Sequence, residues 1–588
     1  MVDLDTYEII KAAKGDIKAD IILRGGDVVN VYTREIIKAD IVVTNGRIVH
    51  VGLKSEDFEK QETHIIDVTN HVVCPGLIES HIHIESSMLT LSEFTKAIIP
   101  HGTTTVVIDP HELVNVTGIK GLELLISEAS YSPIRFLIEL PSCVPSLSGF
   151  ETSGAILDSG NINELIKRKE IFALAEMMNY PGVIQGFDDV ISKIDSTKEA
   201  GKLIEGHAPL LKGKELQAYI AAGISSDHEA TSAVEALEKL RLGMKIQLRE
   251  GSFAKDLTNI LSEIDLNKID TRNLLIASDD RTPVDLLEKG HLDYSYKKLL
   301  DLGIDSIEAL QMMTINTATH LGLQDQIGGI APGKNADLIV VDNLNDFTIS
   351  HVISKGELIY ENRELKYSLK SFEYPDFIFN TLKNLELPSY DDLVLKSNND
   401  EVEVRVIGLQ ENSLITKKIQ HMIKVKDGVL LPDVKNDVLP VFVINRHTKE
   451  KKIGKGFVKG LGLKNAVIAS TVAHDSHQLI CTGTDYNLIL TAIKELKESQ
   501  GGQVIVTPVK KTLLQLDFAG IMSSRSLKDV VEKHKALHES LEELKPSISE
   551  TFMALAFIAL PVIPHLKITD HGLIDVDNFQ IVNPIISE

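Results

Sequence analysis

The 588-residue chain is 43% apolar and 25% charged, enough apolar side chains for buried cores, which excludes a largely disordered protein. Its 84 acidic and 61 basic residues leave a formal charge of −23, and such a surface repels phosphate backbones and anionic lipid. Neither nucleic acid nor a membrane is therefore expected as the main partner; a small neutral or cationic molecule fits better.

The opening residues MVDLDTYEIIKAAKGD are acidic and lack an apolar stretch, so no secretory signal is expected. From Asp20 to Gly52, short β-branched runs broken by Gly-Gly and Asn-Gly predict a small antiparallel sheet. From Val72 to Leu323, eight strand-like runs alternate with helical patterns: VVCPGLIESHIH, TTTVVIDPH, IRFLIELP, IFALAE, KLIEGH, GISSDH, MKIQLRE and NLLIASDD. That count and spacing predict an α/β fold, a (β/α)8 TIM-like barrel. An open doubly wound sheet would carry a glycine-rich phosphate turn after its first strand, and none is present. The segment Ala331–Leu365 again alternates short strands with turns, so a chain that leaves and returns would complete one discontinuous β-sandwich domain. The expected boundaries are residues 1–71 and 326–385 for that domain, 72–325 for the barrel, and 386–588 for an additional C-terminal α/β domain. The longest apolar run, Phe552 to Ile563, is shorter than the roughly 20 residues of a membrane span and contains Pro561, so it reads as a buried helix. Cys74, Cys143 and Cys481 lie far apart with no CxxC spacing, which points to a reducing, cytoplasmic setting rather than to disulfides or a thiolate metal site.

In a barrel of this kind the active site lies at the C-terminal ends of the strands. Strand one ends in His81-Ile82-His83, and the two-residue period of a strand puts both imidazoles on one side, with backbones about 7 Å apart. Later strands end at Glu176, His207, His228 and Asp279. A lone His-x-His, or a single acid at a turn, is ordinarily structural, and Asp279 alone would serve as a helix cap. Four imidazoles and two carboxylates from five strand ends instead point to metal, and the set suffices for two divalent ions bridged by a carboxylate. Mixed nitrogen and oxygen ligation without thiolate admits Mn, Fe or Zn. His111 and Glu112 after strand two, and Ser142 and Cys143 after strand three, are candidate pocket residues. His474, Asp475 and His477 form a polar cluster open to three readings: a second metal site, a loop over the barrel mouth, or plain structure.

The His-x-His, the later single histidines, the strand-eight Asp and the segment PGKNADLIVVD resemble the amidohydrolase superfamily. More narrowly, ESHIHIESSM, VVIDPHE, AEMMNYPGV, EGHAP, SSDHE, ASDDR, AHDSHQL and FMALAFIALPVIP are similar to the bacterial and archaeal adenine deaminases, over nearly the whole chain. The resemblance implies hydrolysis of adenine to hypoxanthine and ammonia in purine salvage, with two metal ions, Mn foremost. Several superfamily members bridge their ions with a carboxylated Lys on strand four; here that position offers Glu176, which would bridge directly. Glu79 departs from the Asp commonly found two residues before the first metal His. In the implied reaction, water activated by the ions attacks C6, Asp279 shuttles the proton, and His228 orients or stabilises developing charge while ligating. The alternatives are a cyclic amide hydrolase of the dihydroorotase or hydantoinase type using the same two-metal site, and a non-catalytic binding protein on a degenerate barrel. The HxE and PCxxC pattern of the other zinc deaminases is absent. A homo-oligomer is expected, since the small β domain and the C-terminal domain offer pairing surfaces.

Overall fold

The computed structural model describes residues 5–367, 372–411 and 413–587. Two sheets form the small domain. One has four strands, Ile21–Arg24, Asp40–Thr44, Arg47–Gly52 and His64–Asp67. The other joins Asp27–Asn30, Glu35–Lys38 and Val72–Pro75 to strands that follow the barrel, through the antiparallel pairing of Leu338–Val341 on Val72–Pro75. Leu23, Ile41, Val43 and Ile48 pack against Val28, Val73, Leu338 and Val340 between the sheets. Each such fully buried side chain contributes about 1.5–3 kcal/mol. The sequence pattern alone joins Val72–Pro75 to the first barrel strand. The structure instead breaks the run at Gly76, where an added Cβ would lie 2.3 Å from Thr104 Oγ1, and starts the barrel at Leu77.

The barrel strands are β1 (Leu77–Ile82), β2 (Thr103–Ile108), β3 (Arg135–Leu140), β4 (Ile171–Met177), β5 (Leu203–Gly206), β6 (Ser226–Asp227), β7 (Lys245–Arg249) and β8 (Leu274–Ala277). β1 to β5 pair in parallel in chain order, as do β6 to β8. Two seams join these sheets. At one, Asp279 donates its N–H to the His81 carbonyl at 3.0 Å and accepts from the His83 N–H at 2.9 Å. At the other, the Ser225 N–H donates to the Ile204 carbonyl at 3.0 Å. Continuous burial along β1, β2 and β8 is what strands covered on both faces require; β8 is accordingly wholly apolar, whereas β1 and β2 bury Glu79, Ser80, His81 and Thr103–Thr105 along with their apolar residues. Helices after the strands start on polar caps, such as Thr90 accepting from the Glu93 N–H and Ser232 from the Glu235 N–H.

Gly206 ends β5 beside the second seam, and a Cβ there would sit 2.1 Å from the Ser226 carbonyl oxygen. Backbone cannot yield as a side-chain tip does. Gly206→Ala is expected to destabilise the protein by about 1–3 kcal/mol and to displace the adjoining His207, read as a lower urea midpoint together with weakened metal retention.

The C-terminal domain is built on a large sheet that is antiparallel apart from the pairing of Glu401–Gln410 with Ile453–Lys459, and the helix Tyr486–Glu498 packs on it. It is richer in sheet than its α/β label suggests. Of the apolar run from Phe552 to Ile563 only Phe552–Phe557 is helical, within the helix Thr551–Phe557, because the chain turns before Pro561. Phe552, Leu555 and Ile558 are buried in the core that the domain shares with the barrel. Among the described residues no helix is long and apolar enough to cross a membrane.

Candidate metal centre at the barrel mouth

The six ligand candidates meet at the C-terminal ends of the strands, all but Asp279 and His207 buried. Glu176 lies at the centre. Its Oε1 is 3.4 Å from His83 Nε2, and its Oε2 is 2.7 Å from His207 Nδ1 and 3.0 Å from His228 Nε2. Asp279 Oδ1 is 3.5 Å from His81 Nε2 and 3.3 Å from His83 Nε2. The His81 and His228 rings stack with centroids 4.1 Å apart. The ligand atoms of His81, His228 and Asp279 lie within 4.8 Å of one another, as do those of Glu176, His207 and His228, and Glu176 also belongs to a group with His83, Asp109 and His111.

Asp279 serves the centre twice. Its backbone closes the β1–β8 seam while its carboxylate faces both β1 imidazoles, and this needs a left-handed residue, with φ of +60°. That conformation costs a non-glycine residue roughly 1–2 kcal/mol, and such strain at a site is characteristic of a functional constraint.

The donor set fits divalent cations. His83 Nδ1 donates to the Asp109 carbonyl at 3.0 Å, so in the neutral ring Nε2 carries a lone pair. That lone pair faces two carboxylate oxygens and His81 Nε2, at 3.3 Å. Acceptors converging on acceptors repel unless positive charge lies between them. Without metal, protons fill that need. Burial disfavours the imidazolium of His83, yet the hydrogen bond to Asp279 and the charge of Glu176 carry its pKa well above the usual value. Burial acts likewise on His207, and the charges of Glu176 and Glu229 raise it to about 9. Glu176 is held well below the carboxylate range despite burial, chiefly by His207. The same field that retains protons there favours divalent ions.

Two contributors, Arg249 and Asp109, were missed in the sequence. Arg249, at the end of β7, places Nη1 3.0 Å from Asp279 Oδ2, pairs with Glu229, and reaches Asp256 at 3.0 Å. It stands next to last in the MKIQLRE run, and its side chain is not of a metal-ligand type. Asp109, in VVIDPHE, holds His111 Nδ1 at 3.2 Å. Glu79, the residue that departs from the superfamily pattern, accepts from the Ser278 N–H at 3.0 Å and the His81 N–H at 3.2 Å and faces His291 Nε2 at 3.1 Å, so it pins the first ligand strand to β8. Of the pocket candidates, His111 Nδ1 reaches Glu176 Oε1 at 3.5 Å, whereas Glu112 turns away from the centre toward the C-terminal domain. Ser142 Oγ donates to the Glu176 carbonyl at 2.5 Å and contacts Cys143 Sγ at 3.1 Å, so the pair braces the Glu176 backbone.

The polar cluster of the C-terminal domain lies against this mouth. His477 Nε2 is 3.1 Å and His474 Nδ1 3.8 Å from the Glu112 carboxylate, and Asp475 Oδ1 is 3.9 Å from His111 Nε2. Behind it, the half-buried His447 donates from Nε2 to the Ser476 carbonyl at 2.6 Å. Burial, then the neighbouring Arg446 charge, lower the His447 pKa to about 3. The unfolded chain, titrating near 6.5, therefore takes up this proton first on acidification. Stability from this group is intact above pH ~6.5 and is lost as pH falls toward ~3. Replacement of His447 by Gln is expected to shrink the drop in urea midpoint between pH 7 and pH 5, and an undiminished drop would contradict the sign.

Comparison with known proteins places these features in a family. The profile of the "Amidohydrolase family" matches residues 72–359, and that of the "Adenine deaminase C-terminal domain" matches residues 413–580. A protein named adenine deaminase from Methanococcoides burtonii is 40% identical over 99% of this chain and 98% of its own length. Proteins of the same name from Methanothrix thermoacetophila and Archaeoglobus fulgidus are 40% and 39% identical, over 97% and 98% of this chain and 98% and 97% of theirs.

Proposed function

The chain belongs to the adenine deaminase family, and from that membership we propose that its barrel site hydrolyses adenine to hypoxanthine and ammonia. The observation that carries this reading is the convergence of all six expected ligand side chains, from five strand ends, on Glu176 and Asp279 in a chain matched end to end by its relatives. His81, His83 and Asp279 would hold one divalent ion and His207 and His228 the other, with Glu176 shared between them. When bound, the ions supply a water whose pKa is lowered from 15.7 toward about 7, and polarise the reacting centre.

The remaining work falls to the chain itself. Glu176 is fixed by three imidazoles and so spans the centre rather than moving protons. Asp279 keeps Oδ1 toward the reacting face while Arg249 holds Oδ2, which orients the carboxylate to take the proton of the attacking water and pass it on toward N1 and the leaving amine. His228, stacked on His81, keeps its ring in line with the developing charge while ligating. Mn is the proposed metal, with Fe or Zn as substitutes, because the set is imidazole and carboxylate without thiolate. A cytoplasmic location accords with three free, buried cysteines. Assembly as a homo-oligomer accords with Leu414, Ile415 and Met422 standing exposed on one long strand of the C-terminal sheet.

Metal-loaded protein incubated with adenine is expected to release ammonia and to shift the ultraviolet spectrum to that of hypoxanthine. Absence of ammonia from adenine, with ring opening of a cyclic imide instead, would replace this reading by the cyclic amide hydrolase.

A further inference from the structure

Residues 473–478 connect two strands of the C-terminal sheet, Val467–Ser470 and Leu479–Gly483, yet they reach the barrel mouth. His477 and His474 face Glu112, and Asp475 Oδ1 stands 3.9 Å from His111 Nε2, an ion-pair rather than a hydrogen-bond distance, while the other nitrogen of His111 lies 3.2 Å from Asp109 and 3.5 Å from Glu176. The His111 ring thus spans the distance between the centre of the metal site and a carboxylate of another domain. Asp475 is buried, and its Oδ2 has no hydrogen-bond partner.

The segment is built rigidly. The Arg446 N–H donates to Gln478 Oε1 at 2.8 Å, its Nε donates to the His477 carbonyl, and its Nη1 donates to the Ala519 carbonyl at 3.1 Å. Arg446 is fully buried and pairs with no carboxylate among the described residues, a costly placement that apolar packing would avoid. On the barrel side, Gln478 Nε2 donates to the Thr152 carbonyl at 2.6 Å. Glu112, His474 and His477 have the makings of a cation site. However, the Ala473 N–H donates to His477 Nδ1 at 3.2 Å, which puts the proton of the neutral ring on Nε2, facing Glu112. These three residues therefore anchor the segment rather than ligate.

We propose that Asp475 is a positioning residue for the barrel reaction, holding His111 against Glu176 so that the C-terminal domain completes the active site. This rests on the deaminase reading of the site. Supporting groups of this kind typically cost 10- to 100-fold when removed. In the full-length, Mn-loaded protein, Asp475→Asn is expected to lower kcat by about 10- to 100-fold, with little change in KM, melting temperature or metal content. Asp475→Glu is expected to restore most of the loss. Introduced into a His111→Gln background, Asp475→Asn is expected to add no further loss, because both changes break one linkage. The visible spectrum of the Co(II)-loaded protein is expected to change in Asp475→Asn and to stay as wild type in Asp475→Glu.

Wild-type kcat and spectrum in Asp475→Asn would overturn the proposal. So would strictly additive losses with His111→Gln, or equal losses in both Asp475 variants with a lowered melting temperature. If the wild-type protein fails to deaminate adenine, the functional reading falls while the cobalt spectra still decide the positioning claim.

Discussion

Glu176→Ala is expected to abolish deamination and to leave the purified protein short of metal. Among the described residues its carboxylate is the one group that contacts His83, His207 and His228 together, and it is 3% exposed, so water cannot replace what it provides. Removing one partner of such a buried charged set costs about 3–5 kcal/mol, equivalent, if taken wholly from metal affinity, to a loss on the order of 10²- to 10⁴-fold. Without Glu176, moreover, the imidazoles lose the charge that sustains their protonated forms in the apoprotein, so two states are destabilised by one change. Elemental analysis after dialysis, with ammonia release measured alongside, checks this; metal retained in full with activity gone would make Glu176 a participant in proton transfer instead of the shared ligand.

Asp279→Asn separates chemistry from ligation. Asn keeps the backbone bonds that close the β1–β8 seam and retains one oxygen for the metal, while His81, His83 and Glu176 remain in place. Both ions are expected to stay bound, and kcat is expected to fall by about 10²- to 10⁴-fold, the range that general acid–base groups supply. Arg249 sharpens the test. Burial works against the Asp279 carboxylate, but His81, His83 and Arg249 together hold its pKa well below the usual range, which weakens it as a base in the absence of metal. Should Asp279→Asn retain a near-normal rate with both ions bound, Asp279 would be a ligand and orienting group alone, and the shuttle would lie elsewhere.

The architecture was legible in the sequence because parallel strands covered on both faces write themselves as apolar runs, each ending in a polar residue at the mouth. His81, His83, Glu176, His207, His228 and Asp279 stood out as candidates for that reason, since each ends or directly follows such a run and carries a side chain able to bind metal. The extent of the first strand was not. Val72–Pro75 and Leu77–Ile82 are separated by a single glycine, and it is the pairing of the first with Leu338–Val341, far along the chain, that hands it to the small domain. Arg249 and Asp109 were missed because their role depends on which oxygens face them, not on spacing along the chain. The meeting of Asp475 with His111 joins residues more than 360 positions apart, across two domains, and no local pattern encodes it. The direction Glu112 faces was hidden for the same reason: its partners His474 and His477 come from the other domain.

Anomalous diffraction from crystals of the Mn-loaded protein tests the central claim most directly. Two peaks are expected on either side of the Glu176 carboxylate, one among His81, His83 and Asp279 and the other between His207 and His228. A single peak, or peaks confined to the Glu112, His474 and His477 group, would contradict it.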